Sequence, residues 1–312
     1  MELKSKLLDT QRGLYLYATT PPRQGSSSEK LHTIAEKLTA RLSNLNPDAI
    51  NVYDIQDEVG RTQISRPFSF VPVVDSREYA QILNKLSGKE IINYKCVVHH
   101  PKVDFSAWLD QSWQQFGLRY FTFVGGSTSK MTYPGPTVTQ AAQMTVRHQD
   151  DLIFGGVTLA ERHFDKGGEH LKLIEKSRWG MIFFTSQVIY QPEATIKLLQ
   201  DYDRQCQELN VSPVRIILTF APCGHLKTLQ FLKWLGVNFP SETERKIFSA
   251  QSPIQQSVEV CCSTLRQILE SIKPSMIPLG INVESVSIKQ DEIDASVELF
   301  GKLKEILATY YR

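Results

Sequence analysis

The apolar positions of this chain fall into short β-branched and aromatic blocks, separated by longer stretches in which they recur every three or four residues. The blocks Gly13 to Thr19 (GLYLYAT), Ala49 to Tyr53 (AINVY), Ile91 to Val98 (IINYKCVV), Leu118 to Val124 (LRYFTFV), Leu152 to Leu159 (LIFGGVTL), Gly180 to Thr185 (GMIFFT), Val214 to Phe220 (VRIILTF) and the weaker Leu279 to Val283 (LGINV) read as buried parallel strands. Helical spacing, as in Leu31, Ile34, Ala35, Leu38 and Leu42, predicts helices over about 29–45, 77–86, 105–116, 136–148, 168–176, 193–209, 226–235, 241–250, 254–272 and 291–310. Eight strands alternating with eight or more helices imply right-handed crossovers. The fold expected is α/β, a (β/α)8 TIM barrel forming one domain over 1–312, with a lead-in at 1–12 and an irregular insertion at about 60–74. A doubly wound open sheet is the runner-up, but no GxGxxG follows the first strand and no GxxxxGK[ST] occurs.

Composition narrows the partners. At 312 residues, 41% hydrophobic and 22% charged, the chain can bury a large core. Its 35 basic and 33 acidic side chains are well mixed, which argues against nucleic-acid binding through a basic face. The N-terminal MELKSKLLDTQRG has no apolar core of a signal peptide, and no run is long enough to span a bilayer, so a cytoplasmic protein is expected. Five cysteines make an odd set in a long chain and are expected to be free thiols. Nothing in the sequence decides against a homo-oligomer.

In a barrel, the residues just past each strand share one mouth. This gathers Thr19, Thr20, Asp54, Gln56, Asp57, His99, His100, Gly126 to Thr128, Glu161, His163, Ser186, Gln187, Cys223, His225, Asn282 and Glu284. The pair Gly125-Gly126 directly after the fourth strand allows close backbone approach of a ligand, and Ser127, Thr128 and Ser129 add hydroxyls and amides suited to a phosphate or carboxylate; a simple turn explains it equally well. His99, His100, His163 and His225 with Glu161 and Cys223 are metal-ligand types, although the first strand lacks a His-x-His pair. No GxSxG elbow appears.

The order TTPPR, AERH, SQ before an apolar run, FAPCGHLKTLQFLKWLGVNFPSE and GIN, each placed after or at its strand, resembles methylenetetrahydrofolate reductase. That family shows EFFPP, YPExH, TQxFFD, a Gly-Ile-Met-Pro turn into a helix, and a terminal strand near HFYTLN, in the same order. The resemblance implies a barrel that binds a folate, with Gln187 and Asn282, and Tyr53 at the close of the second strand, as substrate-binding residues. It further implies Glu161, His163 and Lys176 beside a flavin, while the loop of Gly125, Gly126, Ser127 and Thr128 offers backbone amides for the pyrophosphate of FAD or for NAD(P)H itself. Three departures stand out: the family acid of EFFPP is Ala18 here, its Arg-Gly-Asp after the fourth strand is Gly125-Gly126-Ser127, and the aromatic of YPExH is Leu159.

The reading that follows is an oxidoreductase passing a hydride from NAD(P)H, with or without FAD, to a folate-bound one-carbon unit, with Glu161, Asp54 or Asp57 as the acid in place of Ala18. One alternative is a barrel that binds a folate or nucleotide without turning it over, as partner or sensor. Another is a metal-dependent hydrolase. Arg61 and Arg66 in the insertion have the charge to meet a folate's glutamate tail, though a solvated loop is the commoner role.

Overall fold

Eight parallel strands close into a ring in chain order in the computed structural model, which describes residues 2–58, 61–128, 131–148, 152–273 and 275–311. They are β1 (Leu14–Thr19), β2 (Ala49–Val52), β3 (Glu90–Cys96), β4 (Tyr120–Val124), β5 (Ile153–Thr158), β6 (Phe183–Val188), β7 (Arg215–Phe220) and β8 (Leu279–Glu284). The helices are α1 (Leu3–Leu8), α2 (Ser28–Leu42), α3 (Ser76–Ser87), α4 (Lys102–Gln114), α5 (Val138–His148), α6 (Ala160–Lys166), α7 (Glu169–Arg178), α8 (Pro192–Leu209), α9 (Leu226–Trp234), α10 (Ser241–Phe248), α11 (Pro253–Ser271) and α12 (Gln290–Tyr310). The expected single-domain TIM barrel is what the chain forms.

Two differences from the sequence reading matter for the site. Glu161, Arg162 and His163 lie in the short helix α6, not in a loop. Strand β6 starts later and runs further than 180–185, so Ser186 and Gln187 belong to it. The register between β6 and β7 slips between Thr185 and Val188, and such a bulge re-aims the side chains it contains.

Alternation along the strands separates two cores. Outward positions such as Ile50, Phe121, Phe184 and Val283 pack under the helices. Inward positions Leu14, Leu16, Ala49, Ile92, Tyr120, Ile153, Phe183 and Ile217 fill the lower barrel, and Leu3 and Leu7 of α1 close it from below. The lead-in is therefore a plug. Its end is fastened by Arg215 of β7, 1% exposed, whose guanidinium donates to the carbonyls of Leu7 (3.0 Å), Arg12 (3.1 Å), Lys6 (3.3 Å), Asp9 and Leu279. Among the described residues no helix is long and apolar enough to cross a membrane.

At the other end, the passage after β2 forms a strap. Arg61 donates to the Leu235 carbonyl (3.1 Å), just past α9, and Arg66 sits over the rings of Trp234 (4.6 Å) and Phe231 (5.8 Å). The chain then returns to the β1 loop, where Gln24 N donates to Pro72 O and Val74 N to Pro22 O, both at 2.9 Å. Because α9 follows β7, and β1 and β8 lie between β2 and β7 in the ring, the strap passes over the rim at β1 and β8.

Candidate functional site

Above the apolar floor the barrel interior turns polar. Asn51 and Tyr53 from β2 and the residue after it, Tyr94 from β3, Thr122 from β4, Thr185 from β6, Thr219 from β7, and Asn282 and Glu284 from β8 occupy the upper inward positions. Burying so many polar groups is costly unless they pair. Asn51 Nδ2 donates to Asn282 Oδ1 at 2.8 Å, and Asn282 Nδ2 lies 3.1 Å from the Tyr53 hydroxyl and 3.4 Å from Thr219 Oγ1. Tyr53 and Tyr94 meet edge to face with centroids 4.6 Å apart. The pairing is incomplete: Asn51 Oδ1, Thr122 Oγ1 and Thr185 Oγ1 are buried without a hydrogen-bond partner, and the Tyr94 hydroxyl reaches toward both threonines without closing a full bond.

Among the described residues Glu284 is the one carboxyl in this layer, and it is 8% exposed. It stands in register beside Ala18 of β1, so the two inward positions are neighbours across the β1–β8 seam. Burial pushes its carboxyl up to about 7, against the pull of the facing Tyr53 hydroxyl, and no cation acts on it. In turn burial, followed by the Glu284 charge, pushes the Tyr53 phenol far up. A carboxyl poised in this way can accept two parallel donors when ionised or give one proton when neutral.

Gln187 lies at the same end. Its Nε2 donates to Leu235 O at 3.1 Å, the carbonyl that also holds Arg61, and its Oε1 accepts from Val188 N at 3.1 Å. Gln187 thus links β6 to the strap. Tyr53, Asn282 and Gln187, the three residues expected to bind substrate, all occupy the barrel's carboxyl end.

The expected acids fall elsewhere. Asp54 accepts from Cys96 N (2.9 Å) and Gln56 Nε2 (2.7 Å) and lies 3.9 Å from Lys95 Nζ, so it ties the β2 loop to β3. With the exposed Asp57 it lines a cavity of about 660 Å³ beside the mouth, walled by Arg77, Lys95, His100 and Trp108. Glu161, in the first turn of α6, has its carboxyl raised by burial, and Arg162 pairs with Glu169 (3.7 Å) instead of with it.

The residues expected around a dinucleotide do not assemble. A side chain at Gly126 would run into the Tyr133 ring, so the space left by this glycine is filled by the protein's own tyrosine. The Tyr133 hydroxyl accepts from Thr128 N (3.3 Å) and lies 3.5 Å from Ser127 Oγ; Gly125 faces Val138. This is a packed loop, not an open cradle, and Ser129 lies outside the described residues. His163, 1% exposed, bonds Asp201 of α8 at 2.9 Å between two helices. Lys176 sits on the helix side of the sheet with its ammonium 5.9 Å from the outward Phe184 ring, its pKa lowered by burial. These side chains therefore do not fit an NAD(P)H or FAD site, and no step is derived through either cofactor.

Nor do the metal-ligand types gather. His225 bonds Asp291 (2.7 Å), Cys223 is buried with its thiol pushed up by desolvation, and among the described residues no three His, Cys, Asp or Glu side chains converge on a point. All five cysteines are buried free thiols.

Fold and mouth together define a single-domain (β/α)8 barrel whose upper interior is polar and holds the buried carboxyl of Glu284. No family model and no curated protein matches the chain. Among solved structures, an uncharacterized protein from Clostridium thermocellum that binds two copies of 5-methyl-5,6,7,8-tetrahydrofolic acid is 30% identical, over 97% of this chain and 99% of that one, with a TM-score of 0.83. The chain belongs to the family of that clostridial protein. Looser likenesses are the noncanonic maltogenic α-amylase AmyB from Thermotoga neapolitana (10% identity, 96% and 77% covered, TM-score 0.49) and 2,3-dimethylmalate lyase (13% identity, 98% and 97% covered, TM-score 0.45). Neither bears on function.

Proposed function

We propose that this protein is a reduced-folate-binding barrel, which holds the pterin of a 5-methyltetrahydrofolate-like ligand in its mouth. The observation that carries the reading is the full-length likeness, at 30% identity, to a protein that binds two copies of that folate. It agrees with the chemistry of the mouth, where Asn51, Thr122 and Thr185 keep unpaired polar atoms, Tyr53 pairs with Asn282, and Gln187 stands at the same end of the barrel. A flat heterocycle rich in N–H donors and acceptors answers such a lining. Isothermal titration with 5-methyltetrahydrofolate tests it: saturable binding, weakened about tenfold by Gln187→Ala, is expected. No heat of binding, or binding unmoved by Gln187→Ala, contradicts it.

A second reading, hydride transfer to a folate-bound one-carbon unit, is favoured by one observation. Glu284 returns a protonatable carboxyl to the seam beside Ala18, where the resemblance implies the family acid. NADH oxidation dependent on methylenetetrahydrofolate, and lost in Glu284→Gln, would support it. The unassembled dinucleotide residues weigh against it.

A further inference from the structure

Glu284 was not among the acids the sequence singled out, and its surroundings specify it more narrowly than a general acid. It projects inward from the last position of β8, in register with Ala18, whose methyl leaves the neighbouring inward position without a competing polar group. The groups facing it are Tyr53 from the β2 side and Tyr94 from β3, both neutral phenols, and among the described residues no lysine, arginine or histidine acts on it. A buried carboxyl with no cation is an unfinished interaction, because the Tyr53 hydroxyl offsets only part of the cost of its charge. In the same inward layer the buried oxygens of Asn51, Thr122 and Thr185 lack partners. What completes such a site is a flat, neutral group presenting two parallel N–H donors, the geometry by which guanidinium forks meet carboxylates.

The 2-amino-4-oxo edge of a pterin is such a group, a cyclic acylguanidine with N3–H and the 2-amino hydrogens side by side. We propose that Glu284 is the receptor for this edge, accepting N3–H and a 2-amino hydrogen on its two oxygens, and that its carboxyl gives up its proton to solvent as the ring docks. The assignment rests on the folate reading above and adds the ring edge, the residue and the proton to it. Burial supports the proton: it holds Glu284 up at about 7, so near neutrality a large share is protonated, and two N–H donors stabilise the ionised form. No other atom changes hands; the proton passes to the buffer.

The test is calorimetric titration of the wild-type protein with 5-methyltetrahydrofolate at pH 6, 7 and 8, each in two buffers of different ionisation enthalpy. About 0.9 proton should be released at pH 6, about 0.5 at pH 7 and about 0.1 at pH 8, with affinity dropping about fivefold between pH 7 and pH 6. Glu284→Gln, which replaces one acceptor by a donor, should bind at least about tenfold more weakly at pH 8 and release no proton. Wild-type protein that binds the folate with a flat pH profile, or takes a proton up, overturns the assignment while leaving the folate reading intact, and so does Glu284→Gln binding at wild-type affinity. The wild-type proton count stands even if the variant fails to fold. Absence of binding at every pH overturns the folate reading, and the assignment falls with it.

Discussion

Ala18 and Glu284 are register partners across the seam where β1 meets β8, so the buried carboxyl stands beside a methyl group and not beside a second polar side chain. Strand pairing sets this neighbourhood, and it carries two consequences, one for stability and one for ligand capture.

For stability, the sign follows from where the proton sits. The Glu284 carboxyl ionises near 4.5 when free and near 7 when folded. Below the lower value both states are protonated and burial carries no ionisation penalty. As pH rises toward 7 the unfolded chain loses the proton first, so the fold loses stability, by about 3 kcal/mol in all, and levels off above 7. Glu284→Gln has no such slope. Urea unfolding at pH 4 and pH 8 should show the variant gaining about 3 kcal/mol on wild type between the two, and a difference that does not move with pH contradicts the burial described.

Arg215 gives a second prediction. Its guanidinium holds five main-chain carbonyls at the closed end of the barrel, four of them from residues 6–12. Arg215→Met keeps the apolar stem and removes every donor, which should cost about 3 kcal/mol and release α1 to proteolysis. Retention of wild-type stability would mean that Leu3 and Leu7 alone seat the plug.

Much of this was legible beforehand. Eight β-rich blocks at regular intervals fix the barrel, because alternation with helices leaves few other closed arrangements. The place of Gln187 and Asn282 toward the carboxyl end of the barrel was legible too, by order along the chain. The glycine pair was not: a glycine after a strand announces that something comes close, and here the visitor is Tyr133, whose ring covers Gly126 through a loop the sequence leaves open. His163 and Lys176 face helices and not the mouth because helical position decides where a side chain points; the seven-residue α6 is too short for its face to show in the pattern, and Lys176 lies in the last turn of α7. Glu284 could be placed at the rim but not ranked above Asp54. Its distinction lies in having no cation nearby, and absence of a partner is a property of the folded neighbourhood.

The glycine loop is testable by coupling. Gly126→Ala should destabilise the protein by about 2 kcal/mol through its clash with the Tyr133 ring, and adding Tyr133→Ala should recover part of that loss in a double-mutant cycle. Additive effects would leave the loop's glycine open to serve a ligand.

The strap yields a kinetic expectation. Arg66 is seated on Trp234 and Phe231, and Arg61 shares the Leu235 carbonyl with Gln187. Trp234→Ala should loosen residues 61–74, seen as faster hydrogen exchange there, and speed release of a folate held below. An unchanged release rate would separate the strap from the mouth.

The most direct test of the central claim is a structure of the protein crystallised with 5-methyltetrahydrofolate. The account predicts a pterin among Glu284, Asn282 and Gln187 at the upper end of the barrel, with its 2-amino edge on the Glu284 carboxyl. A ligand bound only in the side cavity by Arg77 and Trp108, or only on the outer surface, with the mouth still closed over its own side chains, would contradict it.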